Sequence, residues 1–337
     1  METLTIPTTA GFNPDFLAVK NAEILHAVKT KGYFAFEGAL QDEYIEEMLK
    51  EVDFDKVLLN VNDVGVVSTH NNKYLTHCLA NSERAYSVIT HKKIISICSE
   101  YFSDNYKLVN HRIYQTAVKQ HLPWHSDNNL QNGKALSEKH EMPGLMFMFY
   151  LSDADKNPFQ FIEGSHKWSK RYNNENFIAD SHIDKNYSKD IITFRLKKGS
   201  LIICDTHGVH RAEPFNDVNF KRKSLLFQVD EVGSQYVGHG EKNIVNTEYL
   251  KDLTPEVMDY LGFGFKRTYP AFPNTSISTM TTQDILVLQK QLLPKALKAV
   301  MQNAVRAILP SSAIIHAKKL QWYLRSQTMG KKQLAKT

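Results

Sequence analysis

The feature that most constrains this chain is a succession of short apolar runs between Lys107 and Asp230, separated by clusters of Gly, Pro, Asn and Asp. KLVNHRIYQTAVK is rich in β-branched and aromatic residues and reads as one or two strands. GLMFMFYLS, Gly144 to Ser152, reads as a buried strand stopped by the turn-forming run that ends at Pro158. FQFIEGS, IITFRL, SLIICD and SLLFQVD follow as further strands. The region has no strand–helix alternation and no glycine-rich phosphate loop. Short strands with turns between them pack as a sandwich or a barrel. The expected fold is mainly β with flanking helices.

Upstream, the period changes. Ile24, Leu25 and Val28 fall on one helical face that Gly32 ends. YFAFEG, Tyr33 to Gly38, alternates as a strand, and QDEYIEEMLKEV returns to helical spacing through Tyr44, Ile45, Met48 and Leu49. Residues 81–103 form a further helical stretch with Ile94, Ile95, Ile97 and Tyr101 as its apolar face. After about residue 240 the strand signals stop. Residues 281–309 predict a helix that Pro294 kinks or divides and Pro310 ends, and a last helix is expected over 311–326.

Composition narrows the class. Hydrophobic residues make up 42% and charged residues 23% of 337, as in an ordinary globular protein that builds its core without disulfides. The three cysteines, Cys78, Cys98 and Cys204, are too few and too scattered for a disulfide framework or a Cys-rich zinc site. The opening METLTIPTTAGFNPDF has no basic and apolar leader pattern, and no window approaches the ~18 apolar residues of a membrane span, so a cytoplasmic protein is expected. The net charge of +5 is uneven: from Ile285 onward there are ten basic and no acidic residues, which leaves the body mildly acidic and argues against nucleic acid as a partner.

The chemistry concentrates in LPWHSDNN. His125 and Asp127 are two apart, so on a strand both point to one face and can reach a single ion. An imidazole and a carboxylate suit a divalent first-row metal, and two histidines with one carboxylate form the facial triad of non-haem Fe(II) oxygenases. A second histidine is offered by KKGSLIICDTHGVHRAEPFNDVNFKRKSLLFQVD, where an apolar strand ends in His207 and His210. His210 has the better setting. It is followed by a loop with Pro214 and stands twelve residues before Arg222, so the chain can turn back and bring Arg222 into the same cavity. A guanidinium there grips a carboxylate as a bidentate fork, and Ser224, two further along the same face, can add a hydroxyl bond.

Taken in order, these segments resemble the phytanoyl-CoA dioxygenase family of Fe(II)/2-oxoglutarate-dependent oxygenases, over roughly residues 20–232. KTKGYFAFEGALQDEYIEEMLKEV is similar to the family's N-terminal helix–strand–helix, and PWHSD to its proximal His-x-Asp. GLMFMFYLSDADKNPFQFIEGSHKWS is similar to its Gly-Ser-His-Lys segment, GSLIICDTHGVHRAEPFN to its distal-histidine strand, and RKSLLF to its arginine-bearing strand.

The resemblance implies a double-stranded β-helix of the jelly-roll, cupin-like type over residues 1–240, with a basic helical extension over 241–337. It implies His125, Asp127 and His210 as iron ligands. Arg222 and Ser224, with Lys119 on the preceding strand, would bind 2-oxoglutarate. Trp124 and His166 would support the site without ligating, and Asp205 departs from the histidine or aromatic residue often found there. The implied reaction is oxidation of a C–H bond of a small organic molecule with 2-oxoglutarate and O2, releasing succinate and CO2. Family-like halogenases carry Ala or Gly in place of the aspartate, so Asp127 favours hydroxylation, or a related desaturation or epimerisation, over halogenation. A non-catalytic metal-binding or scaffold protein of the same fold is the alternative, and a zinc hydrolase would leave Arg222 and Ser224 unexplained. The basic, amphipathic C-terminal helices offer a surface for peripheral membrane attachment or self-association.

Overall fold

The structure is a computed structural model. It describes residues 11–58, 65–69, 72–103, 105–117, 123–127, 130–131, 134–135, 143–168, 178–215, 217, 219–231, 243–250, 253–263, 282–308, 313 and 320. Thirteen strands are found among them: β1 Tyr33–Phe36, β2 Val57–Leu58, β3 Val66–Thr69, β4 Asn72–Thr76, β5 Tyr106–Ala117, β6 Leu130–Gln131, β7 Lys134–Ala135, β8 Gly144–Tyr150, β9 Phe159–Ile162, β10 Ile191–Phe194, β11 Leu201–Asp205, β12 His210–Ala212 and β13 Lys221–Glu231. The helices are α1 Pro14–Ala18, α2 Asn21–Lys31, α3 Asp42–Lys50, α4 Cys78–Asn81, α5 Glu83–Ile89, α6 Lys92–Tyr101, α7 Asp180–Asn186, α8 Pro255–Leu261 and α9 Thr282–Ile308.

The large sheet has the order β1-β11-β8-β13-β5-β4-β3-β2, and a small sheet has the order β10-β9-β12. An isolated antiparallel bridge between His125 and His210 adds a fourth, very short strand beside β12. From β5 onward the chain steps from the large sheet to this bridge, back to β8, across to β9 and β10, back to β11, across to β12, and back to β13. That alternation is the winding of a double-stranded β-helix, the expected jelly roll, with its sheets antiparallel throughout the winding. KLVNHRIYQTAVK contributes one long strand, not two, because it pairs with β13 along one side and β4 along the other.

Strand alternation sorts side chains to two faces. On the outer face of the large sheet, Leu145, Phe147 and Phe149 of β8 and Leu225, Phe227 and Val229 of β13 join Ile24, Val28, Ile45, Ile94 and Ile97 from the helices in one core. Phe147 and Phe227 stack there with ring centroids 4.8 Å apart. On the inner face, Met146, Met148 and Tyr150 meet Phe159, Phe161 and Phe194 of the small sheet, which fills the space between the sheets with apolar side chains. Gly32 ends α2 at φ 95°, where a Cβ would stand 2.6 Å from Nδ1 of His166, so the turn and the close approach both require glycine. The helical stretch expected over 81–103 is two helices, α5 and α6, because the chain reorients at Thr90 and His91.

The chain divides into two compact units, residues 1–265 and 266–337. Tyr260 and Leu261 of α8 belong to the core of the first. In the second, α9 continues through Pro294 without dividing, and Leu286, Leu293, Leu297, Val300 and Ile308 are exposed. Among the described residues, no helix is long and apolar enough to cross a membrane. Apart from residues 313 and 320, the expected last helix lies outside the described residues.

Candidate active site

The His-x-Asp turn and the end of β11 meet at one end of the jelly roll. His125 and His210 are joined by main-chain hydrogen bonds in both directions, 3.0 and 2.8 Å. The amide of Asp127 donates to the carbonyl of Thr206 at 3.2 Å. These contacts bring one nitrogen of each histidine and a carboxylate oxygen of Asp127 within 4.8 Å of one another. Nε2 of His125 lies 3.5 Å from Oδ1 of Asp127, and Nε2 of His210 lies 3.4 Å from Oδ2.

The outer nitrogens fix the state of the inner ones. Nδ1 of His125 lies 2.7 Å from the carbonyl of Pro123, and Nδ1 of His210 lies 3.0 Å from the carbonyl of Gly208. A carbonyl only accepts, so each Nδ1 carries the proton and donates it. That leaves Nε2 of each ring facing Asp127, the atom a metal ligand offers. Both rings are buried, and Asp127 keeps 28% of its side chain exposed. Burial pushes the Asp127 carboxyl up, but His210 and His125 outweigh it and hold it well below the usual range. For His210, burial pulls down and Asp127 overrides it, leaving a raised value. Each set of groups favours the charge a cation between them would meet or replace.

His207 stands outside this group. Its Nδ1 lies 3.0 Å from Oδ1 of Asp205, which also accepts the His207 amide at 2.8 Å. The other Asp205 oxygen accepts from the Tyr101 hydroxyl at 2.8 Å. Asp205 is thus the post of the turn 205–208, whose Thr206 and Gly208 carbonyls hold Asp127 and His210. Gly208 has no room for a side chain, since a Cβ would stand 2.1 Å from the Phe161 ring.

Arg222 and Ser224 lie together on the inner face of β13 and are buried. Register pairs them with Thr116 and Tyr114 of β5. The Arg222 guanidinium donates to the Asn157 carbonyl and, at 3.2 Å, to the Tyr114 hydroxyl. It sits 5.8 Å from the Tyr114 ring centre and 5.7 Å from that of Tyr150. Burial pushes the Tyr150 phenol up to about 12, against the pull of Arg222, so it stays neutral. Nε of Arg222 and the hydroxyl of Ser224 are both buried and, among the described residues, without a hydrogen-bond partner. Buried polar atoms without partners are rare and ask for a ligand or water.

Trp124 is buried among Ile162, Ile178, Ile183 and Val209, with the Arg211 guanidinium 4.3 Å over its ring. His166 is buried beside α2, with Nε2 3.1 Å from the Lys29 carbonyl. Lys119 lies outside the described residues. The sequence reading missed Tyr114, Tyr150 and the Tyr101–Asp205 contact. Inward alternation along β5 and β8 marks the first two, but the third joins residues far apart in the chain and has no local signal.

A sequence comparison with curated proteins finds no match. Among solved structures, the chain is similar to HygX from Streptomyces hygroscopicus with nickel and 2-oxoglutarate bound, at 14% identity and TM-score 0.45, covering 63% of this chain and 87% of that one. It is also similar to the epimerase SnoN in complex with Fe3+, alpha ketoglutarate and nogalamycin RO, at 16% identity and TM-score 0.47, covering 63% and 84%. The family model for phytanoyl-CoA dioxygenase matches residues 28–219, more than half of the chain and including all three residues of the His–Asp–His group. This chain belongs to the phytanoyl-CoA dioxygenase family.

Proposed function

We propose that the protein is an Fe(II)- and 2-oxoglutarate-dependent dioxygenase that oxidises a C–H bond of a small organic molecule, by hydroxylation in preference to halogenation. The observation that carries this reading is the presence of two groups between the same two sheets, linked through Phe159, which packs on His210 and donates its amide to the Tyr150 hydroxyl beside Arg222. One is a His–Asp–His group with both Nε2 atoms turned toward the Asp127 carboxylate. The other is a buried arginine and serine with unfilled hydrogen-bonding atoms.

The donor set fits iron(II). Two neutral imidazoles and one carboxylate hold a divalent ion on one side and leave the opposite side for other ligands. His125, Asp127 and His210 would hold the metal, which with 2-oxoglutarate and O2 would supply the oxidising chemistry, succinate and CO2 leaving as products. Arg222 would take the far carboxylate of 2-oxoglutarate through Nε and a terminal nitrogen, with Ser224 donating a hydroxyl hydrogen bond to the same group. Lys119 is a further candidate for that carboxylate. Tyr114 and Tyr150 flank the guanidinium and fix its plane. The apolar filling from Met148, Phe159 and Phe161 excludes water from the space between the sheets.

The relatives of similar structure support the choice of cosubstrate by what they bind: HygX carries nickel, 2-oxoglutarate and hygromycin B, and SnoN carries Fe3+ and alpha ketoglutarate. Asp127 occupies a position that would otherwise be open to halide, which favours oxygen transfer or hydrogen removal. The reading is tested by following succinate from 2-oxoglutarate with Fe(II) under air. Metal-dependent succinate formation is expected. A protein that binds metal yet never consumes 2-oxoglutarate, with or without candidate substrates, is the scaffold alternative.

A further inference from the structure

The inner face of the large sheet carries polar groups that neither the His–Asp–His group nor the Arg222 site uses. Register sets them in rows. Arg222 pairs with Thr116, Ser224 with Tyr114, Leu226 with Arg112 and Gln228 with Asn110. Asp230 lies opposite Gly144 of β8. The Gly144 carbonyl accepts the Thr206 amide, and the Thr206 carbonyl accepts the Asp127 amide. The rows therefore run from the Arg222 end of β13 to the His–Asp–His end, and Arg112 and Asn110 stand on the flank of that path.

Arg112 is a second guanidinium on this wall. Tyr114 and Tyr74 lie side by side, ring centres 6.0 Å apart; Arg222 covers the first ring and Arg112 lies 5.5 Å from the centre of the second. The two arginines differ in what they hold. Arg222 is tied to Asn157 and Tyr114. Among the described residues, Arg112 has no hydrogen-bond or ion-pair partner, and its guanidinium lies against the Tyr74 ring. Two residues along the same face, about 7 Å by strand rise, Oδ1 of Asn110 is buried and has no donor among the described residues. A half-buried fork of N–H donors beside a buried, unfilled acceptor is complementary to one kind of ligand.

Resting on the dioxygenase reading, we propose that Arg112 and Asn110 form the recognition site for the molecule being oxidised. The substrate is a small anion: its carboxylate or phosphate takes the Arg112 fork, and an adjacent N–H or O–H donates to Asn110. Anchoring there holds the remainder of the molecule along the wall toward the His–Asp–His group. The cosubstrate keeps its own arginine.

The test uses the full chain loaded with Co(II) and saturated with 2-oxoglutarate. Benzoate, phenylphosphate and neutral benzamide are titrated in turn, and paramagnetic broadening of their proton signals is read against the Zn(II) protein. Benzoate or phenylphosphate is expected to broaden saturably, and benzamide not; whichever anion binds tells carboxylate from phosphate. Arg112→Gln should weaken that binding at least tenfold and Arg112→Lys less, while 2-oxoglutarate affinity stays within twofold. Equal anion binding in wild type and Arg112→Gln overturns the proposal, as does absence of anion binding in wild type. A tenfold loss of 2-oxoglutarate affinity in Arg112→Gln assigns the residue to the cosubstrate instead and overturns it too. If Co(II) and 2-oxoglutarate give no spectral complex before any anion is added, the dioxygenase reading itself falls, a result visible separately from the others.

Discussion

His125 and His210 exchange a pair of main-chain hydrogen bonds and each donates its Nδ1–H to a nearby carbonyl, so backbone geometry sets the direction of both rings. The preorganisation is local on the His125 side, where the acceptor is Pro123, two residues back. On the His210 side it depends on the turn 205–208, and that turn depends on Asp205.

Asp205 therefore acts on two ligands through main-chain carbonyls. Asp205→Ala removes the acceptor for the His207 amide and for the Tyr101 hydroxyl, and it should weaken Co(II) binding by about 10- to 100-fold, the range for partners that orient metal ligands. Asp205→Asn keeps an acceptor oxygen for the His207 amide and should recover most of that loss. Calorimetric titration of both variants measures it, and the visible spectrum of bound Co(II) should shift in the alanine variant, which a simple loss of stability would not produce.

Arg222 is the expected grip on the cosubstrate. Arg222→Leu should raise KM for 2-oxoglutarate about 100-fold, close to 2.8 kcal/mol, with a smaller effect on affinity for the metal alone. Ser224→Ala should raise KM less, since a neutral donor contributes about 1 kcal/mol. Steady-state succinate formation against 2-oxoglutarate concentration gives both values.

A pH effect arises on the opposite face of the large sheet from the site. His111 on the outer face of β5 is fully buried, with Nδ1 3.2 Å from the Cys78 sulfur. Burial, then the neighbouring His77, pushes its pKa down to about 3. The unfolded chain protonates near 6.5, so between pH 6.5 and about 3 it binds the extra proton, and stability falls as pH falls through that window. The slope reaches about 1.4 kcal/mol per pH unit, or about 2 kcal/mol between pH 6.5 and 5. Urea unfolding of His111→Asn and wild type at pH 7 and 5 should show the variant losing less on acidification by about that amount.

Much of this was legible in the chain. The strands at GLMFMFYLS and SLIICD announce themselves because they are buried on both faces and read as unbroken apolar runs. The choice of His210 over His207 as the partner of His125 and Asp127 was also legible, from the loop and Arg222 that follow it; the structure gathers those three side chains and turns His207 to Asp205. The strand expected to carry both His125 and Asp127 is only a bridge from His125 to β12, and Asp127 lies past it. Arg112 was invisible. In the sequence it is one of many cations, and only the register with Leu226 puts it on the concave face with no partner among the described residues.

If His125, Asp127 and His210 hold one iron(II) ion to which 2-oxoglutarate binds, anaerobic titration of Fe(II) in the presence of 2-oxoglutarate should raise a visible metal-to-ligand charge-transfer band. The band is expected to saturate at one iron per chain, to be lost in Asp127→Ala and in His210→Ala, and to survive in His207→Gln. A band that persists in the first two variants, or one that disappears in the third alone, would place the iron elsewhere.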